Sequence, residues 1–179
     1  VAGSMVDGVE ARLLAKHTPG QAAAMLMKEI RRTDHGRPSF VTAMMTALAG
    51  SLLLRAGDGD PAANMVAGVD LLESVAAADP GEHVPPAAPR SREPVGNGTG
   101  LDGEVVALEL QTAAWLGGSS FREGLRVGWL LDAAEANLVA VAVAGDRNGR
   151  VERCLELMDA FAEGGGEEQR EPFVAARMR

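Results

Sequence analysis

One helical phrase occurs twice in this chain, first around Ala56-Gly57-Asp58 and again around Ala144-Gly145-Asp146. Apolar runs lead into both, Leu48 to Leu54 ahead of the first and Leu138 to Val143 ahead of the second. Amphipathic stretches lead out, and a two-residue gap brings Asp70-Leu71-Leu72-Glu73 over Glu156-Leu157-Met158-Asp159. Apolar helix, Gly-Asp turn, amphipathic helix reads as a helical hairpin. A lone hairpin cannot bury its own apolar face, so its recurrence predicts stacked, solenoid-like α-structure.

Composition supports helices over strands. Of the 179 residues, 46% are hydrophobic but only 3% aromatic, with no Tyr and eight Met, so small and flexible side chains must fill the core. Strands favour more β-branched and aromatic residues than this. The length suits one ordinary domain or two small lobes. A net charge of −8 argues against nucleic acid or an anionic membrane as partner, since both require concentrated Lys and Arg. The single cysteine, Cys154, forms no internal disulfide and suits a reducing compartment.

The most apolar run, Trp129 to Gly145, is interrupted by Asp132 and Glu135 and falls short of the roughly 20 residues that span a bilayer. Val1-Ala2-Gly3-Ser4-Met5 lacks the basic region and apolar core of a signal peptide. The expectation is a cytoplasmic protein without a membrane partner, in which the sequon Asn97-Gly98-Thr99 stays unmodified.

Helix boundaries are well signalled. A first helix is expected over about Met5 to Lys16. Thr18-Pro19-Gly20-Gln21 combines an N-cap, a first-turn proline and a capping-box glutamine, so a second runs from Pro19 to about Arg32. Ser39 caps a third, with Phe40, Met44, Leu48 and Leu52 four apart on one stripe. Asp60-Pro61 starts a fourth, with Met65, Val69, Leu72 and Ala76 inward and Asp70 and Glu73 in water. Five prolines between Pro80 and Pro94, without apolar periodicity, predict a linker. The resulting division is N-terminal hairpins over 1–79, a Pro/Gly-rich linker over 80–98, C-terminal hairpins over 99–164 and a polar tail over 165–179.

Beyond the linker, one helix ends near Trp115-Leu116-Gly117-Gly118. A second opens at Ser120-Phe121-Arg122-Glu123 and is apolar on most faces from Trp129 to Val143, which predicts a central position. The last strong helix follows Asn148-Gly149, with Val151, Leu155, Met158 and Phe161 as its buried stripe and Glu152, Glu156 and Asp159 on its wet face. Association through Phe121 to Val143, as a symmetric homodimer, follows if the rest of the chain leaves that region uncovered.

No residue set assembles a catalytic constellation. Cys154 lies within an amphipathic helix, without the glycine-flanked loop that exposes a nucleophilic thiol. His17, His35 and His83, separated by 18 and 48 residues, form no metal pair and are expected to lie exposed at helix ends and in loops. Asp58-Gly59-Asp60 lacks the further ligands of a calcium loop and reads as a helix cap. Gly117-Gly118 and Gly164-Gly165-Gly166 have no phosphate-loop context and read as helix stops. Met25, Met27, Met44, Met45 and Met65 suit either plain core or an adaptable groove. Trp115 and Trp129 flank one turn, as a hydrophobic seal or as interface anchors.

The phrase Arg37-Pro38, Leu52-Leu53-Leu54-Arg55-Ala56-Gly57-Asp58, Val69-Asp70-Leu71-Leu72-Glu73 and Ala78-Asp79-Pro80-Gly81-Glu82-His83 resembles the tetratricopeptide-like repeats of actinobacterial proteins that carry a CHAT (caspase-like) domain. The resemblance covers about Pro38 to His83, and more weakly Phe121 to Glu163. It implies a helical scaffold and recognition surface, with any proteolytic chemistry in a separate domain. The chain departs from the standard repeat in lacking its Trp, Leu-Gly and Tyr signature, and the Pro-rich segment interrupts the array.

The sequence therefore predicts an all-α fold of antiparallel hairpins, tetratricopeptide-like or an irregular bundle. It predicts a non-catalytic protein-interaction or scaffold role without cofactor or metal, through a protein partner or self-association. Met44, Met65, Trp115 and Trp129 are the candidate interaction residues. The alternative is a small-molecule-binding regulatory domain with an apolar pocket walled by Met and Leu.

Overall fold

The computed structural model describes residues 2–33, 39–78, 103–146 and 149–164. All regular structure among them is helical: α1 (Ala2–Leu14), α2 (Pro19–Thr33), α3 (Phe40–Leu54), α4 (Pro61–Ala76), α5 (Gly103–Ala144) and α6 (Arg150–Glu163). The expected linker 80–98, the tail 165–179, His35 and His83 lie outside the described residues.

The caps form largely as the sequence prescribes. Thr18 and Gln21 bond reciprocally, the Thr18 amide donating to the Gln21 side chain at 3.2 Å and the Gln21 amide to the Thr18 hydroxyl at 3.3 Å. This capping box starts α2 at Pro19. Ser39 Oγ accepts from the Thr42 amide at 3.1 Å, and Asp60 from Ala62 and Ala63 at 3.0 and 3.3 Å. The first helix begins at Ala2 rather than Met5 and ends at Leu14, because Ala2, Val9 and Leu13 lie on its buried face.

α3 is the axis of the molecule, packing on α2, α4 and α5. The predicted stripe Phe40, Met44, Leu48 and Leu52 is buried, and so are Ala43, Met45, Ala47 and Ala49 around it. Small side chains let neighbouring helices approach closely. A Cβ at Gly68 of α4 would stand 2.9 Å from the Gly50 carbonyl oxygen of α3, and one at Gly50 would stand 3.0 Å from the Gly68 carbonyl. Only glycine at both positions permits this crossing.

The break expected at Gly117-Gly118 is present, as a kink inside α5. Gly118 takes φ 68° and ψ −166°, a region that side-chain-bearing residues rarely adopt. The limb before it turns Val106, Leu110, Ala113 and Ala114 inward. It is also tied to the first two helices by ion pairs, Arg12 of α1 with Glu109 and Arg32 of α2 with Glu104 at 2.8 Å. The limb after it stacks Trp129 on Phe40 of α3, ring centroids 5.3 Å apart. One apolar cluster draws on α1 through α6, so the helices before and after residues 79–102 share a single core.

Two expectations about this half are corrected. The segment Trp129 to Val143 is not enclosed on all sides: Ala133, Ala136 and Ala140 are buried, but Leu138, Val139 and Val143 are 52%, 40% and 68% exposed. The more completely enclosed helix is α3, which has neighbours on three sides. α5 is long and apolar enough to cross a bilayer by length and composition, but half of its most apolar window is buried inside the protein.

The buried face of α6 is also not the predicted one. Cys154, Leu157 and Phe161 face the core, whereas Val151, Leu155 and Met158 are 39%, 61% and 43% exposed. The two stripes share Phe161's side of the helix and differ by one residue, a rotation of about 100°. Cys154 and Leu157 settle the phase by joining the core shared with the other helices, while Phe161, common to both stripes, packs against Val127 and Leu131 of α5, and Arg153 is drawn to Glu73 of α4.

Candidate functional site

Among the described residues, two clefts and a set of exposed apolar side chains stand out. The first cleft, about 370 Å³, lies among α4, α5 and α6 and is lined by Asp70, Glu73, Asn137, Arg150, Glu152, Arg153 and Glu156. Its floor is Asn137, fully buried. Asn137 Nδ2 donates to Glu73 Oε1 at 2.7 Å and to the Ala133 carbonyl at 3.0 Å, and Arg150 donates to its Oδ1 at 3.4 Å. Arg153 reaches Glu73 at 3.8 Å and Glu156 at 2.8 Å. Glu73, expected in water, is instead the hinge of this network.

The cleft floor is saturated with hydrogen bonds, and such buried polar networks fix geometry when every member is paired. Asn137→Leu removes a donor to Glu73 and the acceptor of Arg150. The variant should lose about 1–3 kcal/mol of stability, the cost of stranding partly buried polar groups. Urea denaturation checks this. A loss indistinguishable from zero would mean that the network does not persist in solution.

The second cleft, about 360 Å³, lies where α3, α4 and α5 meet. Leu54, Leu72, Ala136 and Val139 form its apolar wall, with Arg55, Asp132 and Glu135 at its rim. It is a solvent-open groove. Among the described residues no three His, Cys, Asp or Glu side chains group as a metal site.

Burial pushes the Cys154 thiol up, which holds it in the protonated, poorly nucleophilic form. His17 is half-buried, where an exposed position was expected, and its Nε2 has no hydrogen-bond partner among the described residues. Of the four candidate interaction residues, Met44 and Trp129 are 5% and 4% exposed and spend their surface on the core, and Met65 is half-buried. Trp115 is 52% exposed beside Leu116 at 53%, next to the α5 kink.

The two Gly-Asp turns share residues but not wiring. In the second, Gly145 itself takes positive φ at 75°, and Asp146 accepts from the Val151 amide at 3.1 Å. In the first, positive φ falls on Gly59, and Asp58 reaches across to α2. It accepts from the Thr18 hydroxyl at 2.7 Å and the Gly20 amide at 3.2 Å. Asp58 thus fastens the α3–α4 turn onto the start of α2.

The Thr18 hydroxyl, more than the backbone amides and against a smaller effect of burial, holds the Asp58 carboxyl below its usual value of 3.8. A carboxyl with a depressed folded value stabilises above the unfolded value, and that contribution disappears as pH falls through the folded one. Asp58→Ala should therefore melt below the parent at about pH 6, and the gap should close towards about pH 3. Thermal melts across that range test it, and a gap that widens on acidification would contradict it.

The remaining feature is the set of exposed apolar side chains on the last hairpin. Six of the eleven large apolar side chains exposed among the described residues belong to it: Leu138, Val139, Val143, Val151, Leu155 and Met158. Isolated exposed apolar residues are ordinary on a protein surface, but a concentration of them on one hairpin, three on α5 and three on α6, is not. No protein-family model, curated protein or solved structure matches this chain.

Proposed function

We propose that this chain is a non-catalytic protein-interaction or scaffold module, built from helical hairpins of tetratricopeptide-like character and working through the outer face of its last hairpin. The observation that carries this reading is the exposed stripe Val151, Leu155 and Met158. These side chains recur at i, i+4 and i+7, the spacing by which a helix presents an apolar face to another body. The one thiol is buried with a raised value, which fits a role without nucleophilic chemistry and a reducing, cytoplasmic setting.

A second reading, a regulatory domain for a small apolar ligand, draws on the Leu54–Leu72–Val139 groove. Ligand pockets of this kind bury most of their ligand. This groove is open and carries charges at its rim, which favours the interaction reading.

Affinity capture from the native host tests the proposal, comparing the parent with Leu155→Glu/Met158→Glu. The expected result is a protein that co-purifies stoichiometrically with the parent and is lost from the variant, whose melting temperature is unchanged. Equal capture by both proteins, or none by the parent, would overturn it.

A further inference from the structure

The α6 surface carries two parallel stripes to solvent. Val151, Leu155, Met158 and Ala162 form one; Glu152, Glu156, Asp159 and Glu163, each one residue further along, form the other; all eight positions are exposed. Successive residues lie about 100° apart around a helix axis, so the acidic stripe runs alongside the apolar one for the length of the helix. Glu156 is paired with Arg153 at 2.8 Å. Glu152, Asp159 and Glu163 have no ion-pair partner among the described residues.

We infer that the outer face of α6 docks a basic amphipathic helix from another polypeptide. Its apolar side chains would lie on Val151, Leu155 and Met158, and its Lys or Arg side chains against Glu152, Asp159 and Glu163. The inference rests on the interaction-module reading above and names the class of partner. Helix-on-helix recognition uses anchors at this spacing, and charges flanking the apolar seam select the partner.

Charge decides among the possible occupants. A second copy paired antiparallel would set each acidic stripe against its own twin, and like charges in register oppose association. An anionic bilayer attracts amphipathic helices with basic flanks, and this flank is acidic. A cationic partner is favoured both by the stripe and by the field of a chain with net charge −8.

Fluorescence anisotropy with two labelled synthetic helices tests this, both with leucines at i, i+4 and i+7, one flanked by Lys and Arg and the other by Glu. The basic peptide should bind and the acidic one should not. Raising salt from about 50 to about 300 mM should weaken the basic complex about tenfold, since exposed charges are screened over this range. Leu155→Glu should weaken it by about tenfold or more, as expected for a central apolar anchor. Glu152→Lys/Asp159→Lys/Glu163→Lys should reverse the preference, and because all three side chains are exposed its circular dichroism should match the parent's.

Equal binding of both peptides, or of neither, overturns the inference. So does a parent dimer in sedimentation that Leu155→Glu dissolves, which would make the occupant a second copy, or binding to phosphatidylserine vesicles in preference to the peptide. Failure of both peptides alongside persistent, α6-dependent capture from the host would leave the interaction module standing and remove only the basic-helix partner.

Discussion

Phe40→Ala should cost about 3–5 kcal/mol, the range for deleting a buried aromatic side chain, because Phe40 stands at the point where two halves of the molecule meet. It is fully buried at the first turn of α3, and its ring stacks on Trp129 of α5 at 5.3 Å between centroids, tilted by 37°. The guanidinium of Arg126 lies 6.0 Å from the centre of the same ring. In a chain with four Phe, two Trp and no Tyr, few side chains of that volume exist to refill the space. A double-mutant cycle with Trp129→Leu should give a coupling of about 0.5–1.5 kcal/mol for the ring pair itself. Chemical denaturation measures both quantities. A cost below about 1 kcal/mol would show that α3 and α5 do not depend on this contact.

The features of the fold that depend on neighbouring residues were readable in the chain. Thr18-Pro19-Gly20-Gln21, Ser39 and Asp60-Pro61 each place a cap within a few residues of the groups it satisfies, so α2, α3 and α4 start where the residue types require. The Gly117-Gly118 break was legible for the same reason, since one residue at positive φ is enough to end a helix path. Rotational phase was not legible. Both faces of α6 offer an apolar set at helical spacing, and the choice rests on Cys154 and Leu157 meeting the core that the other helices build. Their partnership is a property of the assembled core.

The same limit applies to the polar contacts. Nothing near Asp58 indicates that its carboxylate will accept from Thr18 and Gly20, 40 and 38 positions away. Nor does anything near Asn137 point to Glu73, 64 positions away. Asn137 sits in a run of Ala, Leu and Val, and a lone amide in such a run is the one signal that a buried polar contact must exist. The outer face of α6 is not legible for the same reason, because the spacing of Val151, Leu155 and Met158 in the chain is equally that of a buried stripe.

That phase yields the second large expected effect, a contrast between two leucines two positions apart on the same helix. Leu157 is 4% exposed and Leu155 is 61% exposed. Leu157→Ala should lower stability by about 2–5 kcal/mol, through lost apolar burial and the cavity left behind. Leu155→Ala should change it by no more than about 0.5 kcal/mol, as for a surface site free of special geometry, and alanine's helix propensity slightly favours the variant. Both substitutions delete the same atoms from the same helix, so intrinsic helix propensity cancels in the comparison and the environment of the side chain decides the difference. Equilibrium unfolding of the two variants reads the contrast directly. If Leu155→Ala were the costlier change, α6 would be turned by one residue in solution, Leu155 would belong to the core, and the docking face would have to be sought among Leu157 and its neighbours.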